Sequence, residues 1–279
     1  MRDRIVGQHL QPGWAGVEIG PGSHPTQLPA GVQCAYVDKR DAAALSDLHG
    51  ARVDYMVHPL DAVPTLFPSG ADFLIAHNVL EHSHDPIGTL IGWNGWLRDG
   101  GIGILSLPDK SYCPPDAKRL SPDFFHLLSD FLFARGEDAF ESLEHIPGFL
   151  AGWQAYIHPD RTRAEYCDHC LAETQRGNHD LHWHALDRAA CYAILAAASA
   201  FGERRIELVT VCSPTEGEVR TTGEIIFVYR VRDRSSPIDR DMQSSLDRLA
   251  ERELAEALET YRKAVSAIEA VLRDLRPRA

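Results

Sequence analysis

The sequence predicts an α/β protein built on a doubly wound, mainly parallel sheet. Three observations carry this. Short apolar runs alternate with helical patterns between residues 15 and 107. The first two runs end on Gly20 and Asp38, residue types suited to the ligand-binding edge of such a sheet. The alternation breaks at Pro108 and resumes near residue 187, so one fold carries a long insertion.

In chain order, residues 15–20 (Ala-Gly-Val-Glu-Ile-Gly) read as a buried strand running into the tight turn Gly-Pro-Gly-Ser-His-Pro. Residues 34–38 form the second strand. Asp41 is the expected N-cap of a short helix over 42–48. A third short strand is expected at 53–57 and a clear one at 72–76, after the turn Pro68-Ser69-Gly70. Apolar residues at 87, 90, 91, 93 and 97 predict a helix over 86–98, stopped by Asp99-Gly100-Gly101, and the next strand spans 102–107. Within the insertion, 108–184, one helix is expected at 121–134. A helix at 187–201 and strands at 206–212 and 224–231 follow, the strands as an antiparallel pair. The domain reading is therefore a core of 1–107 plus 185–232, the insertion, and a C-terminal helical extension at 238–279 beyond a polar linker. In the extension Leu258, Tyr261, Val265, Ile268, Leu272 and Leu275 step by three and four. That stripe suits packing on its own domain or a homodimer contact.

Composition narrows the function classes. With 279 residues and a net charge of −12, the chain can bury a large core, and its charge argues against a nucleic-acid partner. No run reaches the ~18 apolar residues of a membrane span, and the N-terminus has no apolar signal-peptide core. The six cysteines lack a secreted framework, which suggests a reducing cytoplasm.

The chemistry concentrates at the strand ends. Glu18-Ile-Gly20-Pro-Gly22 lets backbone approach a ligand closely. Asp38, some twenty residues on, can accept hydrogen bonds from both ribose hydroxyls of an adenosine cofactor. Its plainer reading is a turn acid. Asp61-Ala62 follows the third strand, where an acid could accept from an adenine amino group.

Four segments together resemble class I S-adenosylmethionine-dependent methyltransferases. They are residues 17–22 (VEIGPG), 36–38 (YVD), 72–82 (DFLIAHNVLEH) and 97–108 (LRDGGIGILSLP). The last two are the most specific. The resemblance implies a Rossmann-like, seven-stranded sheet with the last strand antiparallel. It implies that Gly20 and Gly22 line the methionine and ribose portion of S-adenosylmethionine, that Glu18 lies beneath and hydrogen-bonds near the methionine end, and that Asp38 holds the ribose. Asp61 and Ala62 would flank the adenine, and His77, with Asn78, would face the methyl-transfer centre. Where the family often has a third glycine this chain has Ser23-His24-Pro25, and Pro25 can start a helix.

The insertion follows the fifth strand and should carry substrate specificity. Tyr112, Phe124, Phe125, His126, Trp153 and Tyr156 offer aromatic walls and polar tips. Methyl transfer to oxygen needs an in-line acceptor and a proton acceptor, a task suited to histidine. Candidates are His82, His182 and His184, with Asp109 directly after the strand and His126 and His145 in competition. Glu81 reads as a first-turn acid of the next helix. Cys167-x-x-Cys170 with His182 and His184 has zinc-like spacing on paper, so a divalent metal is a further expectation, set against buried thiols and locally bonded histidines.

The leading expectation is methyl transfer to a small molecule, at an oxygen of a sugar or natural-product scaffold. The absence of an Asn/Asp-Pro-Pro-Tyr/Phe motif after the fourth strand, where His77-Asn78-Val79 stands, weakens a nucleobase reading. The alternatives are a non-methylating reaction on the same cofactor, such as cyclisation or rearrangement, and a degenerate interaction scaffold.

Overall fold

The computed structural model describes residues 1–133, 145, 148, 150–154, 156, 158–175, 181–213 and 223–236. The chain divides into two units, Met1–Pro237 and Ile238–Ala279, and the second, with its expected helix, lies outside the described residues.

Seven strands form one sheet: β1 (Ala15–Ile19), β2 (Gln33–Val37), β3 (Val57–His58), β4 (Ala71–His77), β5 (Leu97–Pro108), β6 (Arg204–Cys212) and β7 (Glu224–Asp233). Their order is β3-β2-β1-β4-β5-β7-β6, with β7 antiparallel to both β5 and β6. The chain reverses its direction of winding between β1 and β4, the switch point where open α/β sheets bind ligands.

Helices cover the sheet. On one face Ile5 and Val6 of α1 (Arg2–His9) pack against Phe73, Ile75, Ile104 and Val228. This helix was not anticipated: over eight residues only Ile5 and Val6 are buried, too few to give a helical period. The expected cap Asp41 accepts from the Ala44 amide and starts α2 (Ala42–His49). After β3 a tight turn leads into α3 (Val63–Leu66), and α4 (Pro86–Gly95) is capped by Asp85, which accepts from Gly88 N. In the insertion lie α5 (Phe124–Leu132), capped by Asp123, and α6 (Arg163–Gln175). Asp187 caps α7 (Arg188–Phe201), which packs on α4.

The described residues correct four expectations. Strand β3 is only two residues long and starts at Val57, after Tyr55, whose hydroxyl donates to the Gly22 carbonyl. The helix predicted to reach residue 98 stops at Gly95, and β5 begins at Leu97, so Asp99-Gly100-Gly101 forms an irregularity inside the strand rather than a helix stop. No helix starts at Pro25; that segment is held by Thr26 on Glu18. Cys167 and Cys170 lie on α6, a helix the sequence pattern did not suggest.

The core is closed by one polar contact with a demanding geometry. Tyr229 of β7 is fully buried, and its hydroxyl donates to Asn94 Oδ1 at 2.8 Å. Gly103 faces it across the ladder, and a Cβ there would lie 2.1 Å from Tyr229 Cζ. Only glycine leaves room for the ring to reach Asn94.

Candidate functional site

A cleft of about 640 Å³ opens at the switch point. One wall is the turn after β1, with Ile19, Gly20 and Gly22; Asp38 and Leu60 continue it from the ends of β2 and β3. The opposite wall is the loop from Asn78 to Asp85 together with α4. Gly20 has φ +61°, and a Cβ on it would sit 2.7 Å from Val79 Cγ2, so the two walls approach over a residue with no side chain. Gly22 also takes a left-handed conformation.

Glu18 lies beneath this turn, 2% exposed. Its carboxylate accepts from Thr26 N at 3.1 and 3.2 Å and from Thr26 Oγ1 at 2.8 Å. Burial pushes its pKa up to about 7, against the pull of the Thr26 hydrogen bonds. Asp38 caps its own loop by accepting from Arg40 N at 2.9 Å and lines the cleft. The other expected cofactor contacts fall elsewhere. Asp61 is exposed and neither it nor Ala62 lines the cleft, where Leu60 stands instead. His77 shares the α1 face of β4 with Phe73 and Ile75, by the alternation of the strand. Its Nδ1 pairs with Ser106 Oγ at 2.9 Å, and burial lowers its pKa to about 3, so it is a neutral core imidazole. It does not line the cleft; the next residues, Asn78 (φ 54°) and Val79, do.

The histidines separate into two clusters. In the first, His82 lines the cleft and its Nδ1 is 3.1 Å from the Leu181 carbonyl oxygen. A carbonyl only accepts, so Nδ1 carries the proton and Nε2 the lone pair in the neutral ring. His82 meets His182 edge to face, with ring centroids 4.9 Å apart. His182 Nδ1 pairs with Asp116 Oδ2 at 2.5 Å, and the other oxygen of Asp116 receives Arg119 Nη1 at 2.8 Å. Burial opposes charge on His182, but bonds to Asp116 and Cys113 and the fields of Glu81 and Asp116 outweigh it and push its pKa up to about 10. Arg119 also donates to the carbonyls of His182 and Trp183, and Trp183 N donates to the Glu81 carbonyl. The loop under the cleft and the end of the insertion are thus one hydrogen-bonded unit. Glu81 is fully buried, neither carboxylate oxygen has a hydrogen-bond partner among the described residues, and burial raises its pKa to about 7.

The second cluster surrounds Asp130 of α5. His184 Nε2 is 2.9 Å from Asp130 Oδ2, His126 Nε2 3.3 Å and His145 Nε2 3.8 Å. His84, on the cleft wall, approaches the other oxygen at 3.9 Å. Burial lowers the His184 pKa to about 4, with Asp130 pulling the other way.

These placements correct the expected catalytic and metal sets. His184 is 2% exposed inside the second cluster and does not line the cleft. Asp109 caps a short turn by accepting from Ser111 N and joins neither cluster. The grouping of Cys167, Cys170, His182 and His184 is not assembled: the two histidines go to different carboxylates, and neither cysteine joins a donor cluster among the described residues. Cys170 is instead buried with Tyr166 and Trp183. Of the insertion, only Trp183 lines the cleft among the described residues; Phe125 and Tyr156 are exposed, at 76% and 57%. The sequence reading named His126 and His145 only as competing bases and passed over Asp130 and Asp116. The His126–Asp130 spacing of one helical turn was the available signal.

No protein-family model matches the chain, and no curated protein matches it. Among solved structures, the CurJ carbon methyltransferase overlaps it at 15% identity and TM-score 0.40, covering 84% of this chain and 54% of that one. The citrinin polyketide synthase CMeT domain overlaps at 14% and 0.37, covering 80% and 48%. Magnesium protoporphyrin IX methyltransferase (ChlM) from Synechocystis, with bound SAH, overlaps at 12% and 0.36, covering 80% and 75%. The chain therefore spans about half the length of the first two. Overlaps this loose decide nothing about chemistry, and the fold is read from the sheet itself. Among the described residues no helix is long and apolar enough to cross a membrane. The strand order, with β7 antiparallel between β5 and β6, is the Rossmann-like arrangement that the methyltransferase resemblance implies.

Proposed function

We propose that the protein transfers the methyl group of S-adenosylmethionine to an oxygen of a small molecule, such as a sugar or natural-product scaffold. One observation carries the reading: a single cleft at the switch point joins the left-handed Gly20–Gly22 turn, the Asp38 carboxylate and the His82 imidazole. The cleft volume suits a ligand of this size. When bound, the cofactor supplies an electrophilic sulfonium methyl group. Asp38 would accept from its ribose hydroxyls, the Gly20 turn would admit it to close backbone contact, and Leu60 would pack beside its base. The negative charge of the chain favours a small acceptor over a nucleic acid.

In this reading the residues of the cleft would hold the acceptor hydroxyl against that methyl group and take up its proton. The hydroxyl proton passes to His82 Nε2. His82 suits the task because the Leu181 carbonyl fixes its tautomer. His182, pinned by Asp116, holds the neighbouring ring edge in place and is a positioning residue.

Calorimetric titration with S-adenosylhomocysteine tests the proposal. One saturable site per chain is expected, with Asp38→Ala weakening binding at least tenfold through the loss of two hydrogen bonds to a charged group. No binding by folded protein refutes the cofactor reading, and unchanged affinity in Asp38→Ala refutes the ribose contact.

A further inference from the structure

The cluster around Asp130 has a geometry that hydrogen bonding alone explains poorly. Its four donors, His126, Asp130, His145 and His184, offer ligand atoms that all lie within 4.8 Å of one another. His126 and Asp130 share one face of α5 a single turn apart, while His145 and His184 arrive from later parts of the insertion. Asp130, His145 and His184 are buried.

The tautomer of His145 sharpens the point. Its Nδ1 lies 3.2 Å from the Trp183 carbonyl oxygen, so Nδ1 must be the donor. In the neutral ring Nε2 then turns a lone pair toward Asp130 Oδ2 at 3.8 Å, acceptor against acceptor. A metal ion seated between the two atoms would take a lone pair from each. A backbone carbonyl holding the far nitrogen of an imidazole is the support that metal-bound histidines have.

The distances fit a metal. Tetrahedral bonds of about 2.0–2.1 Å put neighbouring ligand atoms about 3.3 Å apart. The three imidazole nitrogens stand 2.9, 3.3 and 3.8 Å from Asp130 Oδ2.

We propose that His126, Asp130, His145 and His184 form a four-coordinate site for a divalent transition metal of the zinc type. Imidazole and carboxylate together suit zinc or cobalt. Four protein ligands close the coordination sphere, which makes the site structural rather than a source of metal-bound water. Its place in the fold says what it ties. All four ligands belong to the insertion, and His84, on the cleft wall, borders the site at 3.9 Å from Asp130. The ion would fasten three remote parts of the insertion together behind that wall. The site shares no ligand with the Cys167-x-x-Cys170 pair.

The test uses full-length protein made without a metal-affinity tag, stripped with a chelator, then titrated with Co²⁺ and Zn²⁺. One equivalent of Co²⁺ is expected, with the intense visible bands of a tetrahedral ion, displaced by Zn²⁺, together with a rise in melting temperature. Asp130→Asn and His184→Ala should each weaken Co²⁺ binding by more than about 100-fold, beyond what loss of a supporting residue costs. The double variant Cys167→Ser, Cys170→Ser should bind as the parent does. Because the wild-type spectrum stands alone, a misfolded variant does not protect the idea. Folded wild-type protein that takes up no Co²⁺ or Zn²⁺ refutes it. Metal lost only with the cysteines refutes it as well.

Discussion

Replacing Glu18 by Gln should make the protein more stable in a pH-dependent way while impairing its cleft. Glu18 is 2% exposed, and burial raises its pKa from 4.5 to about 7. That difference corresponds to about 3 kcal/mol. Between these two values the folded chain still holds a proton that the unfolded chain has released. By linkage, stability therefore falls as pH rises through this window. Below pH 4.5 the carboxyl is neutral in both states and the cost is absent; above pH 7 it is fully present. Glutamine keeps the shape, its carbonyl can accept from Thr26 N, and its amide can donate to Thr26 Oγ1. Urea unfolding of both proteins from pH 4 to 8.5 isolates the effect, because contributions from other groups cancel in the difference. The curves should converge near pH 4 and diverge by about 3 kcal/mol at pH 8, with the variant more stable. Parallel curves would refute the buried, proton-holding carboxyl. The functional half is the converse. A carboxylate kept in the fold at that cost is useful if it faces the cationic amine of the cofactor. S-adenosylhomocysteine should then release a proton from the wild type on binding near pH 7 and none from Glu18→Gln, read by calorimetry in buffers of different ionisation enthalpy.

Gly20→Ala combines a left-handed backbone, φ +61°, with a Cβ 2.7 Å from Val79 Cγ2; it should destabilise the fold by about 1–3 kcal/mol and reduce cofactor affinity, both measurable in one melt series with and without S-adenosylhomocysteine. Tyr229→Phe leaves Asn94 Oδ1 without its 2.8 Å donor in the core and should cost about 1–3 kcal/mol in urea unfolding, with cofactor binding unchanged. Arg119→Met leaves one oxygen of buried Asp116, still paired with His182, and two carbonyls without their donor, so a loss of about 3 kcal/mol is expected in the same assay.

The sequence showed the elements whose information is local. Gly20 and Gly22 sit at a turn that needs left-handed backbone, and Asp41 caps the helix that begins right after it. Asp38 sits at the end of β2 because the parallel pairing of β1 and β2 fixes that register. What stayed hidden depends on residues far apart in the chain. His77 looked like a cleft residue by position, yet strand alternation turns it to the α1 face, where burial keeps it neutral. Asp61 looked like an adenine partner, but a two-residue β3 and the turn after it leave Leu60 at the cleft and Asp61 in solvent.

The insertion shows the same division most sharply. Its histidines were visible as a count, and adjacency in sequence suggested that His182 and His184 act together. Their partners decide otherwise. Asp116 lies 66 residues before His182 and Asp130 lies 54 before His184, and each carboxylate draws one histidine to its own side. A buried carboxylate is costly unless its charge is balanced, so each must gather cations or donors around it. Among the described residues, two such centres, one bordering His82 and the other bordering His84, lie in the insertion beside the apolar cluster of Tyr166, Cys170 and Trp183. That is why hydrophobic spacing, the main signal of the sequence, went quiet at Pro108. It is also why the residues that matter most there are acids that no motif announced.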